Sequence, residues 1–498
     1  MTTATPHEEA QQLLYCDDGL AVLVTEALEY APADPAMRAA LACHLAAPHT
    51  PAAVLAANSG VDLAAVMQVY HLARTSPQVR RLVGSSYYPH RLRWEFAAAT
   101  VAEWQRRPDI PRRILAREPV LAETMEIHPT RGTCNYRCRM CLWSDQSELT
   151  YATRQLDTGG LMTAADWCRV IGELADAGVR RLVVSGGGEA LINPDLPAIL
   201  DHAADLGFEI HVYTTGFSIR PGGALFAALL RCHRIRFSIH SPDPATYDRV
   251  AGTRPRQRAL DRVSDNLAAL LHERGDLPAV GIGMVIQPDN YTQVGAMADF
   301  AETLGADRLD LRKDEVDVTA GLDPAGLAVV RAQLRALRAR PWIQTRIDIG
   351  DELVALANGV TPDRSRTQEC RGRWFRPTIG AFGHLTPCDL KAEPRFAATG
   401  YDLGNVKRSR ILDVVATTAG RPIADDCAQC MPSSRTGNAI VGKLLDDLQA
   451  GVGLAEQPFD WRVFVRSRSA VAATATAPRT ISPAATSGAN TIHGLPWW

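Results

Sequence analysis

Arg131-Gly-Thr-Cys134-Asn-Tyr-Arg-Cys138-Arg-Met-Cys141 sets three cysteines at the spacing C-x3-C-x2-C within one short loop. The residues before it, Thr124–Pro129, read as a β-strand, so the loop falls where an α/β sheet presents its functional loops. Three thiolates from one loop can hold one face of a metal cluster. A structural zinc site normally closes four ligands, and no fourth Cys or His stands within this loop. On a four-iron cluster, three ligands leave one iron open to another group. The two-cluster ferredoxin run differs, with C-x2-C-x2-C and a following Cys-Pro.

Downstream of the loop, short β-branched runs alternate with amphipathic helical windows. Strands are expected at Thr124–Pro129, Arg181–Ser185, Glu209–Thr215, Arg234–His240, Val280–Gln287 and Arg308–Arg312. One helix should start at Thr163, an N-cap with Asp166 three residues on, and bury Trp167, Val170, Ile171 and Leu174. Another should start at Asn193-Pro194, and a third carries Val294, Met297, Phe300, Ala301 and Leu304 at helical spacing. Strands alternating with helices imply a parallel sheet with right-handed crossovers, open or closed into a barrel.

The chain has 498 residues, 53 Lys+Arg and 55 Asp+Glu, a net charge of −2, with 46% hydrophobic residues. That is globular composition, with room for more than one domain. The charge balance excludes a dedicated nucleic-acid binder, which needs a basic excess. The N-terminal residues lack the pattern of a secretory signal and no stretch is apolar enough to span a membrane, so a cytoplasmic protein is expected. In a reducing compartment, clustered cysteines point to metal or catalysis rather than disulfides. Seven of the eleven cysteines cluster; Cys16, Cys43, Cys168 and Cys232 have no partner pattern and read as small buried hydrophobes.

Four segments follow: a helical accessory domain over 1–115, the α/β core over 116–345, a cysteine-bearing domain over 346–465, and an Ala/Ser/Thr/Pro-rich tail over 466–498 ending in Trp497-Trp498. Within 1–115, Thr50-Pro51 opens a pair of short helices, and Leu20–Thr25 is the one strand expected.

C-x3-C-x2-C after the first strand of a (βα)6 pattern resembles the radical S-adenosylmethionine (SAM) superfamily. The resemblance implies a partial (βα)6 barrel and a [4Fe-4S] cluster on Cys134, Cys138 and Cys141, with S-adenosyl-L-methionine chelating the open iron. It also implies one-electron cleavage of the sulfonium, giving methionine and a 5′-deoxyadenosyl radical that removes a substrate hydrogen. The cofactors carry this chemistry and the protein supplies orientation and exclusion of water. Ser185-Gly-Gly187-Gly188-Glu189-Ala190 resembles the family's G-G-E-P motif, with Ala190 in place of the proline. By that likeness Gly187, Gly188 and Glu189 bind the methionine end of the cofactor. Ser238, ending the fourth strand, takes a ribose or carboxylate contact. Met140 takes the adenine contact, where an aromatic residue is commoner, and Met284 lies in the fifth-strand adenine stretch Gly281–Val285. A zinc-binding cysteine loop beside an unrelated glycine turn is the alternative.

A second group comprises Cys370, Cys388, Cys427 and Cys430, with a glycine-turned β-hairpin expected around Phe382-Gly383-His384. G-x4-C with a distal C-x2-C resembles the twitch domain, the short form of SPASM, and Leu403–Val406 its joining segment. That implies a second, auxiliary [4Fe-4S] cluster closed by four thiolates, suited to electron transfer or structure. Four cysteines satisfy a structural zinc ion equally well.

The auxiliary cysteine spacing is similar to that of 2-deoxy-scyllo-inosamine dehydrogenases, and the N-terminal layout to that of TDP-4-amino-4,6-dideoxyglucose deaminases. Both act on small aminated, hydroxylated rings. Arg312 and Lys313, with Asp314 and Glu315, end the sixth strand, where the resemblance gives them substrate hydroxyl, amine or phosphate groups to hold; a solvated charge run is the alternative. A closed auxiliary cluster favours net oxidation of a carbinol on an amino sugar or aminocyclitol in natural-product biosynthesis. Deamination, dehydration or epimerisation of a nucleotide sugar is the runner-up, and radical modification of a ribosomal precursor peptide a further class. An electron donor such as flavodoxin or ferredoxin is implied, with no nucleic acid and no membrane. A zinc-bound interaction protein without catalysis would hold no iron.

Overall fold

The computed structural model describes residues 10–15, 21–25, 30–32, 100, 103–104, 107–130, 132–141, 160–314, 320–339, 345–350, 353, 356–357, 370–392, 399–423, 430 and 432–451. The chain divides into two compact units: Met1–Pro108 with Lys443–Trp498, and Asp109–Gly442.

In the first unit three strands, β1 (Ala10–Tyr15), β2 (Ala21–Thr25) and β3 (Tyr30–Pro32), form an antiparallel meander in the order β1-β2-β3. This corrects the expectation of a single strand in this segment. β2 is the expected one. β1 reads Ala-Gln-Gln-Leu-Leu-Tyr, with no β-branched residue and no strict alternation to announce it. β3 carries Pro32, tolerated because β3 is an edge strand with one neighbour. The helix pair after Thr50 and the C-terminal tail lie outside the described residues.

The second unit opens with α1 (Asp109–Leu115) and runs β4 (Thr124–Ile127), α2 (Ala164–Asp176), β5 (Arg181–Val184), α3 (Leu196–Asp205), β6 (Glu209–Thr214), α4 (Ala224–Leu230), β7 (Arg234–Ser238), α5 (Pro244–Ala251), α6 (Ala259–Glu273), β8 (Ala279–Ile286), α7 (Val294–Leu304), β9 (Arg308–Lys313), α8 (Pro324–Ala339) and β10 (Arg346–Ile349). Then come β11 (Thr378–Ile379), β12 (Leu385–Thr386) and α9 (Ile411–Thr418), and the boundary between the units falls within α10 (Pro432–Gln449). All six expected strands are present, and β10 is a seventh in the parallel run. The sheet order is β10-β9-β8-β7-β6-β5-β4-β11-β12, parallel from β10 to β11, with only β12 antiparallel. Among the described residues β12 and β10 are not paired, so the mostly parallel α/β sheet is a partial barrel rather than a closed one.

Because β4 to β10 follow one another in sequence, right-handed crossovers put every connecting helix on the same face. That face is apolar: Met125, Ile127, Leu182, Val184, Ile210, Val212, Phe237, Ile282, Leu309 and Ile349 are all fully buried there. Each such side chain is worth about 1.5–3 kcal/mol of transfer free energy. α2 presents Trp167, Val170, Ile171 and Leu174, and Thr163 closes the expected capping box with Asp166. α7 likewise buries Val294, Met297, Ala298 and Ala301. α3 starts at Leu196, later than expected, because Asn193 instead accepts from the Asp195 amide at 2.9 Å and donates to the Pro129 carbonyl at 2.8 Å.

Side chains alternate across a strand, so the opposite, inner face carries the intervening residues. On this face stand Glu126, His211, Tyr213, Arg234, Arg236, Arg308, Asp310 and Asp348. No helix among the described residues is long and apolar enough to cross a membrane.

Candidate cluster and cofactor site

At the end of β4 the chain leaves the sheet as the loop that holds Cys134, Cys138 and Cys141. The Gly186–Gly188 turn, at the end of β5, fastens that loop in place. The Gly132 amide donates to the Gly187 carbonyl, Thr133 bridges to Gly188, and the Glu189 amide donates to the Thr133 carbonyl at 2.9 Å. Thr130 Oγ1 adds a bond to the Gly187 carbonyl at 3.0 Å. Gly187 and Gly188 have φ of +66° and +114°. A Cβ on either would strike the carbonyl oxygen of Thr130 or Thr133. Glycine is therefore required here for the close approach of two backbones, a role distinct from the cofactor contact that the motif alone suggested.

On its other side the loop rests on α5. The Arg137 amide donates to the Ala251 carbonyl at 2.9 Å, and the buried Tyr136 hydroxyl meets the Tyr247 hydroxyl at 3.0 Å. The Tyr136 ring also meets Phe217 edge-on at 6.0 Å. The three thiols share one electrostatic neighbourhood. Burial pushes the Cys134 thiol up to about 12, with Glu189 and Cys141 adding to it. Burial likewise raises Cys138, helped by Cys141 and Cys134. A bound cation reverses this balance by favouring thiolate, so metal loading would release protons. Among the described residues no three His, Cys, Asp or Glu side chains close to the geometry of a metal-ion site. The donor set of three thiols on one backbone-anchored loop nevertheless fits one face of an iron–sulfur cluster.

Glu189 is nearly fully buried, and its carboxylate accepts from the Leu191 amide at 3.1 Å, Thr214 Oγ1 at 2.6 Å and the Thr215 amide at 2.6 Å. It thus ties the end of β5 to the end of β6, and burial still holds its carboxyl above the ordinary range. Thr215 Oγ1 reaches Asn135 at 3.3 Å, which closes the frame around the cysteine loop.

The other expected cofactor residues divide. Met140 is half-buried within the loop, and Ser238 is half-buried at the end of β7 on the inner face. Met284 is fully buried with Ile282 and Ile286 on the helix face of β8. By strand alternation Met284 offers the inner face its main chain only.

Lys313 is placed by the same alternation. It alternates out of the inner face, is 2% exposed, and its ammonium donates to the Asp314 carbonyl at 2.6 Å. Arg312 keeps the inner face and is half-buried. Asp314 accepts from Gln287 at 2.5 Å, and Glu315 lies outside the described residues.

Sequence reasoning missed the neighbours of Arg312. The Arg236 guanidinium stacks on the Tyr213 ring, 4.2 Å from its centroid, with Nη1 3.9 Å from Asp310. Arg308 pairs with Asp310 and, at 2.7 Å, with Asp348. On β4, Glu126 takes bonds from Ser185 and from Arg376 at 2.5 Å, and meets His128 at 3.1 Å. The signal was available: charged residues two apart, as in Arg234-x-Arg236 and Arg308-x-Asp310-x-Arg312, within otherwise apolar strands.

The second cysteine group sits beside the hairpin β11–β12, which turns at Gly383 as expected. β11 joins the sheet against β4, and Leu403 and Val406 bond to the hairpin at Leu385 and Gly383, both at 2.8 Å. Cys370 and Cys430 lie within the electrostatic reach of Cys388, whose thiol is pushed well up by burial and by Asp389. Cys427 lies outside the described residues.

The family model of the Radical SAM superfamily matches residues 129–301. PqqA peptide cyclase of Streptomyces rochei is 29% identical over 258 residues, 51% of this chain and 66% of the relative. dTDP-4-amino-4,6-dideoxy-D-glucose ammonia-lyase of Streptomyces venezuelae is 26% identical over 285 residues, 53% of this chain and 55% of the relative. A third or more of each relative is thus unmatched. Among solved structures, SuiB of Streptococcus suis has a TM-score of 0.46 at 14% identity, covering 82% of this chain and 88% of that one. The matched stretch contains the cysteine loop, the glycine turn behind it and strands β5 to β8. Residues 129–301 thus match the Radical SAM superfamily, whose cofactors are a [4Fe-4S] cluster and S-adenosyl-L-methionine.

Proposed function

We propose that the chain is a radical SAM oxidoreductase that oxidises a carbinol of a small, polar, aminated ring, an amino sugar or aminocyclitol. The observation that carries the substrate class is the inner face: it is lined by charged and hydrogen-bonding side chains rather than by an apolar slot, so it suits a ligand rich in hydroxyl and amine groups. When bound, the cluster and S-adenosyl-L-methionine supply a 5′-deoxyadenosyl radical for hydrogen abstraction. Cys134, Cys138 and Cys141 would hold the cluster, and Met140, Gly187, Gly188, Glu189, Ser238 and the main chain of Met284 would orient the cofactor. Tyr136 and Phe217 pack behind the loop and keep water from it.

A net oxidation removes two electrons, and the second needs an acceptor. Cys388, with Cys370 and Cys430 in its electrostatic reach, and Cys427 are the residues that would hold it. An elimination has no use for an acceptor, so the grouping favours oxidation over the deamination named for the Streptomyces venezuelae relative. A flavodoxin or ferredoxin in the cytoplasm would supply the reducing electron.

A second reading, radical modification of a peptide, is favoured by two observations. Relatives are named PqqA peptide cyclase. The meander β1–β3 has edge strands, the element to which an extended peptide can add.

Anaerobic reconstitution tests both. About eight irons per chain are expected for two four-iron clusters. 5′-Deoxyadenosine formation coupled to product should appear with a panel of amino sugars and aminocyclitols. Coupling only to short peptides overturns the substrate class, and consumption of no net oxidising equivalent overturns oxidation in favour of elimination.

A further inference from the structure

We infer that the exposed arginines around Cys138 form a docking surface for an acidic one-electron carrier protein, the reductant of the cluster on the first cysteine loop. The surface rests on the reading above that a flavodoxin- or ferredoxin-like protein supplies the electron, and is independent of the substrate class.

Cys138 lies where the loop meets α5. Its Sγ is 3.8 Å from the Ala251 carbonyl, and the Arg137 amide donates to that same carbonyl at 2.9 Å. Gly252 ends α5 at φ +65°, and a Cβ there would strike the Arg137 carbonyl, so the two main chains run in contact. Residues 253–257 therefore leave α5 beside the loop.

These two segments carry mostly one sign of charge. Residues 132–141 and 244–257 hold five arginines, Arg137, Arg139, Arg249, Arg254 and Arg256, all exposed. Against them stands one carboxylate, Asp248, which is half-buried and accepts from Thr253 Oγ1. From the β8–α7 connection Asp289 reaches Arg139 at 3.5 Å and Arg249 at 3.6 Å, so two guanidiniums share it beyond good hydrogen-bond distance. Arg249 also donates to Thr246 Oγ1 at 2.9 Å. Arg137, Arg254 and Arg256 make no ion pair among the described residues. Arg258 and Asp261, just past the turn, pair with each other at 2.8 Å and add no net charge. The chain as a whole carries −2, so this excess is local.

Arg137 and Arg139 flank Cys138 in sequence, which centres the charge on a thiol that would hold the cluster. Electron-transfer encounters use small interfaces and gain their rate from opposite charge. One electron leaves the reduced carrier and enters the oxidised cluster, and no bond forms or breaks.

The test is stopped-flow oxidation of reduced acidic flavodoxin and, separately, of reduced [2Fe-2S] ferredoxin by the anaerobically reconstituted enzyme saturated with S-adenosyl-L-methionine. At least one carrier should react with a second-order rate constant that falls as salt is raised, and a single-turnover yield of 5′-deoxyadenosine assigns its electron to the first cluster. Arg254→Glu/Arg256→Glu should slow that rate at least about tenfold at low salt and flatten its salt dependence. Excess dithionite should give equal amounts of 5′-deoxyadenosine in wild type and variant, which shows the variant loaded and folded. Arg112→Glu, on the exposed side of α1 and leading into the opposite end of β4, should leave the carrier rate within about twofold. A salt-independent wild-type rate, a wild-type rate in the double variant or an equal loss in Arg112→Glu overturns the surface and leaves the carrier reading standing. Oxidation of neither carrier, with dithionite effective, overturns the carrier reading and the surface with it.

Discussion

Arg376 donates its Nε to the Glu126 carboxylate at 2.5 Å, across 250 residues of sequence. Glu126 sits on β4, the strand that runs into the first cysteine loop, and Arg376 lies between Cys370 and Cys388 of the second group. Arg376 also reaches Asp389, next to Cys388, at 3.2 Å. One guanidinium therefore fixes the second cysteine segment against the strand that carries the first. The β4–β11 ladder alone spans only two residue pairs and could slip.

Removing one partner leaves a buried charge behind. Arg376→Met should destabilise the protein by about 3–5 kcal/mol, read as a lowered denaturant midpoint. Glu126→Gln should cost less, because the amide still accepts from Ser185 and Arg376. Equal and small losses would show that the pair merely breaks even.

The same pair sets an acid dependence. Burial acts to raise the Glu126 carboxyl, but Arg376, His128 and Ser185 outweigh it and hold it down near about 2, against an ordinary 4.5. A depressed carboxylate contributes stability that is complete above the unfolded pKa and is lost as pH falls through the folded one. The window is therefore pH 4.5 down to about 2, and the contribution is on the order of 3 kcal/mol. Denaturant midpoints measured across that window should fall more steeply in the wild type than in Glu126→Gln. Parallel curves would assign the acid sensitivity to other groups.

The two glycines against the cysteine loop should behave unlike a helical one. Gly188→Ala forces a side chain onto the Thr133 carbonyl at φ +114°, so the loop must shift. Reconstituted Gly188→Ala should lose most of the iron bound at the first site, with the loss visible as reduced cluster absorbance. Gly172→Ala in α2, where a Cβ meets nothing within 4 Å, should load normally and gain up to about 1 kcal/mol. Full iron loading in Gly188→Ala would show that the loop adapts freely.

What could be read before the structure follows from strand periodicity. Each of the six expected strands was placed to within a residue or two, and the capping box at Thr163 was legible because its two partners are local. Two kinds of feature were not. The pairing of Glu126 with Arg376 joins residues that nothing in the sequence sets side by side. The face on which a strand-end residue lies depends on the parity of the register, so Lys313 and Met284 looked like equals of Arg312 and Gly283 yet turned away. The meander Ala10–Pro32 escaped because β1 has no β-branched residue and β3 is three residues long.

Occupancy of the second cysteine group separates a cluster from a zinc ion. Cys388→Ala should cut the reconstituted iron from about eight to about four per chain, with the first cluster's signal retained. A wild-type protein holding about four irons and about one zinc would instead give Cys388 a structural zinc site. The thiol's burial and its closeness to Cys370 and Cys430 suit either metal, so the stoichiometry decides.

The last support of the first loop is the hydroxyl pair Tyr136–Tyr247. Burial keeps both phenols protonated, so one hydroxyl donates to the other at 3.0 Å in a site closed to water. Tyr247→Phe deletes one partner and leaves a buried hydroxyl on Tyr136, at a cost of about 1–3 kcal/mol. Because Tyr136 lies two residues from both Cys134 and Cys138, the loss falls on the loop. The variant should therefore show faster chelator-driven iron loss from the first cluster at unchanged loss from the second. Equal acceleration at both would make the effect one of global stability, and no acceleration at either would free the loop from any dependence on α5.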